Sequence, residues 1–133
     1  MPRTFQEGET HTVRRDVDKY RPYYYAAVSG DFNPIHLDPE FGQMAGLGGN
    51  ILHGMCTLAW AAEVAVEYLG ESRRLKSIRA RFSRPVQIGE TLTFTVRAAK
   101  RDGDVLRGEL SAVNSKGEEV LKNGVFEGNV GAA

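Results

Sequence analysis

The longest apolar stretch of the chain, residues 54–69, predicts a helix that is buried on nearly every side. From Met55 to Leu69 the only polar residues are Thr57, Glu63 and Glu67. The four alanines of this stretch have small side chains that would let a sheet approach the helix closely. Gly70 follows as a suitable C-cap, because glycine readily adopts the left-handed conformation that ends many helices. The pattern therefore predicts a central helix that the rest of the protein encloses.

After this helix, apolar and polar residues begin to alternate with a period of two, which is the pattern of half-buried strands. The alternating segments are residues 78–83, 91–98, 105–113 and 120–126. Asp102-Gly103 and Lys116-Gly117 are sequences typical of the turns in β-hairpins. Four consecutive strands after one buried helix predict an α+β fold, with an antiparallel sheet curled around a long central helix.

Before the apolar stretch, the pattern predicts one short strand and one further helix. Residues 10–13 favour the strand. Tyrosines and small apolar residues then recur at helical spacing, and Asp16 or Asp18 would cap the start of this helix. Gly30 would end it.

Two side chains that can transfer protons, Asp31 and His36, lie five residues apart around Asn33-Pro34. Pro34 fixes its own φ and disfavours the helical region for Asn33, so Asn33 is a natural N-cap and Pro34 a natural first helical residue. Asp31 then lies in the loop before this helix, and His36 lies in its first turn. We expect both side chains to reach the same small molecule.

A second helix start, at His53-Gly54, offers a group that can bind a carbonyl oxygen. Gly54 has no side chain to shield its N–H, and the first N–H groups of a helix have no internal partner. At the positive end of the helix dipole, such an N–H suits an oxygen that gains negative charge. An acid/base pair and an oxyanion donor are the parts needed to add water to a carbon chain conjugated to a carbonyl, or to remove it.

These residues also have purely structural interpretations. Aspartate after glycine is a common loop pairing, and a single histidine is more often structural than catalytic. On the residues alone, both interpretations of Asp31 and His36 stay open. Ser29, Asp31 and His36 do not form a hydrolytic triad, because they fall within eight residues and lack a nucleophile elbow.

The amino-acid composition indicates a globular protein and argues against nucleic-acid-binding and metal-binding classes. The chain has 133 residues, 41% of them hydrophobic and 26% charged, which is ordinary for one globular domain spanning residues 1–133. Seventeen basic residues balance seventeen acidic ones, so no long-range field favours nucleic acid or an anionic membrane. Three histidines without close pairing, and no cysteine cluster, predict that there is no metal site.

The single cysteine, Cys56, cannot form an internal disulfide, which suits a reducing cytoplasm. Its place near a helix start would suit a lowered pKa, but packing in the core is the favoured interpretation. The N-terminus shows no charged-then-apolar leader, and no apolar run reaches the roughly 20 residues that span a bilayer. We therefore expect a cytoplasmic protein that does not enter membranes.

The motif SGDFNPIH at residues 29–36, followed by Gly46-Leu47 and by ILHGM at residues 51–55, closely resembles the signature of the MaoC-like, (R)-specific enoyl-CoA hydratase family. A weaker likeness extends to residues 81–86 and 89–92, so it covers most of the chain. The resemblance implies a hot-dog fold, in which the sheet wraps around the central helix and an overhanging segment carries the catalytic loop.

The resemblance also implies roles for the site residues. Asp31 and His36 would hold one water beside the β-carbon of a trans-2-enoyl thioester, and the Gly54 N–H would bind the thioester oxygen. The product would be a (3R)-hydroxyacyl thioester, in a reversible reaction. Ser29 and Asn33 would shape the loop and orient Asp31. No cofactor is implied, since coenzyme A or phosphopantetheine is part of the substrate.

Further candidates concern the substrate and the partners. His53, Arg79, Arg81 and Arg84 are candidate substrate-binding residues, because arginine suits the phosphates of coenzyme A or of a carrier protein. A solvated strand face explains the arginines equally well. A curled sheet leaves edge strands that dimerisation can cover. The resemblance implies a homodimer or a dimer of dimers, or pairing with another hot-dog subunit.

Three alternatives to hydration remain. A (3R)-hydroxyacyl-acyl-carrier-protein dehydratase of fatty-acid elongation would use the same residues in the opposite direction. An acyl-CoA thioesterase would need a carboxylate at the thioester carbon rather than an Asp/His pair at the alkene. A non-catalytic acyl-binding module is disfavoured, because it has no use for an intact set of Asp31, His36 and Gly54.

Overall fold

The computed structural model describes residues 4–131, which form one five-stranded sheet, four α-helices and a short 3-10 helix. In chain order the elements are β1 (Thr10–Asp16), α1 (Arg21–Ser29), α2 (Pro34–Leu37), α3 (Pro39–Met44), α4 (Gly54–Leu69), the 3-10 helix (Ser72–Arg74), β2 (Leu75–Phe82), β3 (Thr91–Asp102), β4 (Val105–Val113) and β5 (Glu119–Asn129). The strand order is β1-β3-β4-β5-β2, and every neighbouring pair is antiparallel. The predicted α+β class and antiparallel sheet are confirmed.

The central helix α4 lies against the sheet and approaches all five strands. Its Trp60 meets Phe94 of β3 edge to face, with ring centroids 6.3 Å apart, and Val64 and Leu69 are each 1% exposed. Arg15 of β1 forms ion pairs with Glu63 (2.8 Å) and Glu67 (3.2 Å) of α4. The helix is therefore held to the sheet by apolar packing and, at one edge, by charge.

The expectation that α4 is buried on nearly every side is wrong for this chain alone, because one row of its residues is exposed. Met55 is 56% exposed, and Ala59 and Glu63 are also exposed. The reason is that a single sheet covers one side of a helix, and α1 covers only part of the other side. Met55 and Ala59, at the start of α4, are therefore left facing solvent, and the exposed row continues with Glu63 and Glu67.

The first helix begins later than expected. α1 starts at Arg21 with Tyr20 as its N-cap, because Asp16 is the last residue of β1 and pairs with Thr91. The Asp18 carboxylate instead accepts a hydrogen bond from the backbone N–H of Tyr20, at 2.9 Å, in the turn before the helix. The predicted end of α1 at Gly30 is confirmed by that residue's left-handed conformation, with φ of 77°.

Residues 30–53, which we call the overhang, carry α2 and α3 and join α1 to α4. The overhang is fixed to the loop between β2 and β3 by hydrogen bonds from Leu52 N–H to Val86 O (2.8 Å) and from Gln87 Nε2 to Leu47 O (2.7 Å). The predicted helix starts at Asn33-Pro34 and at His53-Gly54 are both confirmed. Across residues 4–131, no helix is both long enough and apolar enough to cross a bilayer.

Candidate active site

The loop that carries Asp31 is shaped by hydrogen bonds between side chains and nearby backbone. The Ser29 hydroxyl donates to Tyr25 O (2.7 Å) and accepts from the Asp31 N–H (3.1 Å). Asp31 Oδ1 accepts from the Asn33 N–H (3.2 Å), and Asn33 Oδ1 caps α2 by accepting from the Ile35 N–H (3.1 Å). These contacts leave the second carboxylate oxygen of Asp31 free to face other groups, and the side chain is 50% exposed.

His36 is held with one defined nitrogen facing Asp31. Its Nδ1 lies 2.9 Å from the backbone oxygen of Ile51, and a carbonyl oxygen can only accept, so Nδ1 carries the proton. In the neutral ring Nε2 is therefore the basic nitrogen, and it lies 3.7 Å from Asp31 Oδ2. That distance is too long for a strong direct hydrogen bond, but it allows one water to contact both atoms.

His53 packs against His36 and contacts the backbone of Asp31. Its ring is 1% exposed and stacks on the ring of His36, with centroids 4.0 Å apart and planes 22° apart. Its Nε2 donates to the backbone oxygen of Asp31 (2.9 Å), and the ring of Tyr25 packs on it at 4.9 Å. The structure thus places His53 behind the pair, where it fixes both partners. A direct contact of His53 with substrate stays a prediction.

Gly54 is the first residue of α4, and no side chain caps this helix end. Its N–H belongs to the first turn, whose N–H groups have no acceptor within the helix. A Cβ at this position would lie 3.2 Å from the ring of Phe82, which packs over the helix end. Glycine therefore lets the aromatic ring of β2 approach the backbone closely.

A cavity of about 390 Å³ opens between the start of α4, the end of β2 and the loop that follows β2. His36, Gly54 and Thr57 line it together with Phe82 and Arg84, and most of the other lining side chains are aliphatic. This volume is in the range of small-molecule sites. The arrangement can hold an acyl chain beside the His36 ring and the N-terminus of α4, and the Asp31 carboxylate lies next to His36 but is not part of the cavity lining.

The three candidate arginines do not lie together. Arg84 lines the cavity and pairs with Glu118 at 3.1 Å. Arg79 lines a separate depression on the outer face of the sheet, and the structure does not bring it to His36. Arg81 is exposed on the edge strand β2, outside the lining of the cavity. Only Arg84 is positioned to meet a ligand in the cavity.

Cys56 is not a nucleophile of this site. Its thiol is buried, and burial raises its pKa from the ordinary 9.0 to about 11, although the charge of Arg21 acts in the opposite direction. Burial also raises the pKa of the neighbouring Tyr25, helped by the charge that Cys56 carries once it ionises and by the charge of Asp31. Both groups therefore hold their protons at neutral pH, in agreement with the favoured interpretation of Cys56 as a packing residue.

Asp31, His36 and His53 lie close enough to raise the question of a metal, since their ligating atoms fall within 4.8 Å of one another. The premise that the histidines lack close pairing is therefore wrong, because the fold pairs two of them. Imidazole lone pairs lie in the ring plane, and two nearly parallel rings 4.0 Å apart do not aim them at one ion. The absence of a metal site stays a prediction, which the stacking supports.

Sequence reasoning assigned no role to Thr57 or Phe82, although both line the cavity. The sequence does hint at a role for Thr57, because it is the first polar side chain within an otherwise apolar helix. No feature of the sequence indicates that the Ile51 carbonyl accepts a hydrogen bond from His36. That contact joins residues 15 positions apart, and only the folded overhang creates it.

Comparisons with known proteins agree with this geometry. A family model described as a MaoC-like domain matches residues 4–120. The "3-hydroxyacyl-thioester dehydratase Y" of Mycobacterium tuberculosis is 38% identical over 104 residues, which cover 75% of this chain. The "probable enoyl-CoA hydratase 2" of Dictyostelium discoideum is 35% identical over 103 residues, which cover 76% of this chain. The aligned parts are only 36% and 34% of these two relatives' own lengths.

A solved structure shows the fold. The unliganded R-hydratase PhaJ1 from Pseudomonas aeruginosa superimposes with a TM-score of 0.87, covering 94% of this chain and 81% of that chain. The two sequences are 24% identical, so this likeness establishes the hot-dog fold and leaves the activity to other observations. The fold expected from the motif resemblance is confirmed.

Proposed function

This chain belongs to the family of MaoC-like domains, and from that premise we propose that it hydrates trans-2-enoyl thioesters reversibly to (3R)-hydroxyacyl thioesters. The observation that carries the proposal is the placement of His36, whose Nε2 faces the Asp31 carboxylate at 3.7 Å while Nδ1 is held by the Ile51 carbonyl, beside a cavity that Gly54 also lines. Both curated relatives described above have names in the same class of reaction.

The proposed reaction uses one water held between Asp31 and His36. His36 Nε2 accepts a proton from this water while the water oxygen bonds to the β-carbon of the enoyl group. The electron pair of the double bond moves toward the carbonyl, and the thioester oxygen gains negative charge beside the Gly54 N–H. The Asp31 carboxylate stabilises the imidazolium, which then delivers its proton to the α-carbon on the same face.

This sequence of steps balances and returns the site to its starting state. A hydroxyl group is added to the β-carbon, a hydrogen is added to the α-carbon, and His36 is neutral again. A positioned acid/base contributes about 10²–10⁴ to the rate, and an oxyanion donor on the order of 10²–10³. The site thus needs no cofactor, and we propose that coenzyme A or phosphopantetheine takes part only as a portion of the substrate.

Dehydration of a (3R)-hydroxyacyl group on an acyl carrier protein is the second candidate, because the same groups catalyse the reverse reaction. Arg84 is the arginine best positioned to help with either carrier, since it lines the cavity and is 55% exposed beside Glu118. Thioester hydrolysis is disfavoured, because the second Asp31 oxygen faces His36 Nε2 at 3.7 Å, an arrangement that suits a pair acting on one water more than a single carboxylate attacking a thioester carbon.

We propose that the working form is a homodimer at minimum. Within residues 4–131 the edge strand β2 has no neighbour on one side, α4 exposes Met55 and Ala59, and the Asp31 side chain is half exposed. A second copy could cover all three features, and a dimer of dimers or another hot-dog subunit could do the same. A monomer mass in light scattering at micromolar concentration would contradict the homodimer.

We also propose that the protein resides in the cytoplasm and binds neither nucleic acid nor membranes. The free, buried thiol of Cys56 suits a reducing compartment, and basic and acidic residues are equal in number. Recovery of the tagged protein with an organelle fraction would contradict this location.

The direct test of the reaction follows the enoyl-thioester absorbance with crotonyl-CoA and with longer enoyl-CoAs. We expect the absorbance to fall without release of free thiol, and chiral analysis to give the (3R) product. Release of free thiol would support the thioesterase instead. Absence of any reaction with CoA and carrier-protein thioesters would overturn the proposal.

A further inference from the structure

Thr57 has a buried hydroxyl with no partner at the proposed site. The residue is 2% exposed, and its Oγ has no hydrogen-bond partner among the described residues. It nevertheless lines the same cavity as His36 and Gly54. Burying a hydroxyl without a hydrogen bond is unfavourable, so an unpartnered one facing a cavity points to a ligand that supplies the missing partner.

The local backbone explains why this hydroxyl is unpaired. A helical threonine usually donates to the carbonyl four residues earlier, which here is His53 O. That oxygen already accepts from the N–H of Cys56 at 3.0 Å and from the N–H of Thr57 itself at 3.3 Å. A carbonyl oxygen has two lone pairs, and both are in use. The Thr57 hydroxyl is thereby left to donate to something in the cavity.

The position of Thr57 on the helix brings it to the same end of the cavity as Gly54. The two residues are three positions apart on α4, so they lie on neighbouring parts of one helix face. Side chains in a helix lean toward its N-terminus, so the Thr57 side chain leans over the turn that begins with Gly54. The Thr57 hydroxyl is therefore directed toward a ligand oxygen that binds the Gly54 N–H.

We propose that the Thr57 hydroxyl is a second donor to the thioester oxygen, beside the Gly54 N–H. This role rests on the proposed hydratase activity and adds a residue to it. Two other polar side chains in the lining already have partners, since the Ser83 hydroxyl donates to Glu119 O at 2.7 Å and Arg84 pairs with Glu118 at 3.1 Å. The thioester oxygen is the acceptor of the substrate that lies beside Gly54, and its acceptor strength increases as negative charge develops during the reaction.

The test compares Thr57→Val, which keeps the shape and removes the hydroxyl, with Thr57→Ser, which keeps the hydroxyl. We expect Thr57→Val to lower kcat with crotonyl-CoA by on the order of 10²–10³-fold, as for a lost oxyanion donor. KM should rise by no more than about 3–10-fold, because the hydrogen bond to the uncharged thioester oxygen is weaker than the one to the oxygen that gains charge. Thr57→Ser should retain kcat within about threefold of the unchanged protein. Thr95→Val, which removes a hydroxyl that bonds Thr12 on the sheet, is the matched control and should leave kcat unchanged.

Stability separates this role from a structural one. Because the hydroxyl has no partner in the free protein, Thr57→Val should keep or raise Tm while it lowers kcat. A structural hydrogen bond would instead lower Tm in Thr57→Val and leave kcat per folded molecule unchanged.

Calorimetry with two non-reacting ligands adds an independent measurement. Butyryl-CoA has the thioester oxygen, and S-butyl-CoA lacks it. Thr57→Val should weaken the binding of butyryl-CoA by about 3–10-fold and leave S-butyl-CoA unaffected, because only the first ligand loses a hydrogen bond.

The outcomes distinguish the two proposals. If the unchanged protein is active and Thr57→Val keeps full activity, the role of Thr57 is refuted and the hydratase proposal stands. Equal weakening of both ligands would also refute it. If the unchanged protein neither binds nor converts any thioester, both proposals fail.

Discussion

The overhang and the core between α4 and the sheet keep their shapes by different means. In the overhang, polar side chains bond to backbone groups two or three residues away, as Asp31, Asn33 and Asp38 do. In the core, large apolar side chains such as Phe94 and Phe126 are 1% exposed and pack against α4 and its neighbours. The first region positions chemical groups, and the second supplies most of the stability.

The two regions should also differ in how much each side chain contributes to the free energy of unfolding. Each short-range hydrogen bond contributes about 0.5–1.5 kcal/mol, whereas truncation of a large core side chain costs about 3–5 kcal/mol. Substitutions in the overhang should therefore remove activity without unfolding the protein, and substitutions in the core should do the reverse. His53 belongs to both regions, since it is buried and also contacts Asp31 and His36.

The largest effect is expected at the overhang itself. Asp31→Asn and His36→Ala should each lower kcat for crotonyl-CoA hydration by about 10²–10⁴-fold, because each removes one member of the acid/base pair. Tm should stay close to that of the unchanged protein. Asp102→Asn and His11→Ala change the same residue types at exposed or half-buried positions of the strands and serve as controls. A variant at Asp31 or His36 that keeps half of its activity would contradict the assignment.

The core should respond in the opposite way. Phe94→Ala removes a 1% exposed ring that packs against Trp60, and we expect the free energy of unfolding to fall by about 3–5 kcal/mol. Denaturant titration measures this loss, and kcat is then compared per folded molecule. Two results would contradict the proposed difference between the regions. One is a Phe94→Ala variant as stable as the unchanged protein, and the other is a folded Phe94→Ala variant without hydratase activity.

His53→Phe tests the place where the two regions meet. Phenylalanine keeps a flat ring beneath His36 but cannot donate to the Asp31 carbonyl, so the loop should lose part of its positioning. We expect kcat to fall about tenfold or more, since small misplacements of catalytic groups are costly. The free energy of unfolding should change by less than about 1.5 kcal/mol. Full activity in this variant would show that the stacked histidine does not position the pair.

The smallest effect concerns Cys56 and the pH dependence of stability. Its pKa is raised in the folded protein to about 11 from 9.0, so the unfolded chain loses this proton first as pH rises. The free energy of unfolding should therefore be unaffected below about pH 9 and should fall between about pH 9 and pH 11. Cys56→Ala should make that decline shallower, while the raised pKa of Tyr25 preserves part of it. An identical decline in both proteins, measured by denaturant titration at each pH, would contradict the assignment.

Local rules explain which parts of the fold could be predicted from the sequence. Asn33-Pro34, His53-Gly54 and Gly70 mark helix ends because caps depend on residues within one turn, and all three lie where expected. The hairpin glycines Gly103 and Gly117 have positive φ for the same local reason. The start of α1 was misplaced because Asp16 is held in β1 by pairing with a residue far along the chain.

The candidate site could be predicted only in part, for reasons of distance along the chain. Asp31 and His36 share one motif, so their convergence follows from a single bend. The contacts of His36 with Ile51 and of His53 with Asp31 span 15 and 22 residues, and no spacing rule anticipates them. Which arginine meets the cavity likewise depends on the face of the sheet to which each side chain turns.

The central claim is that Asp31 and His36 act together on one water. The most direct test compares kcat of the double variant Asp31→Asn/His36→Ala with kcat of the two single variants in a crotonyl-CoA hydration assay. If the two groups act as a unit, the double variant should be no slower than the slower single variant, within about threefold. Losses that multiply, with the double variant slower by the product of the two single effects, would show that the groups act independently and would contradict the account.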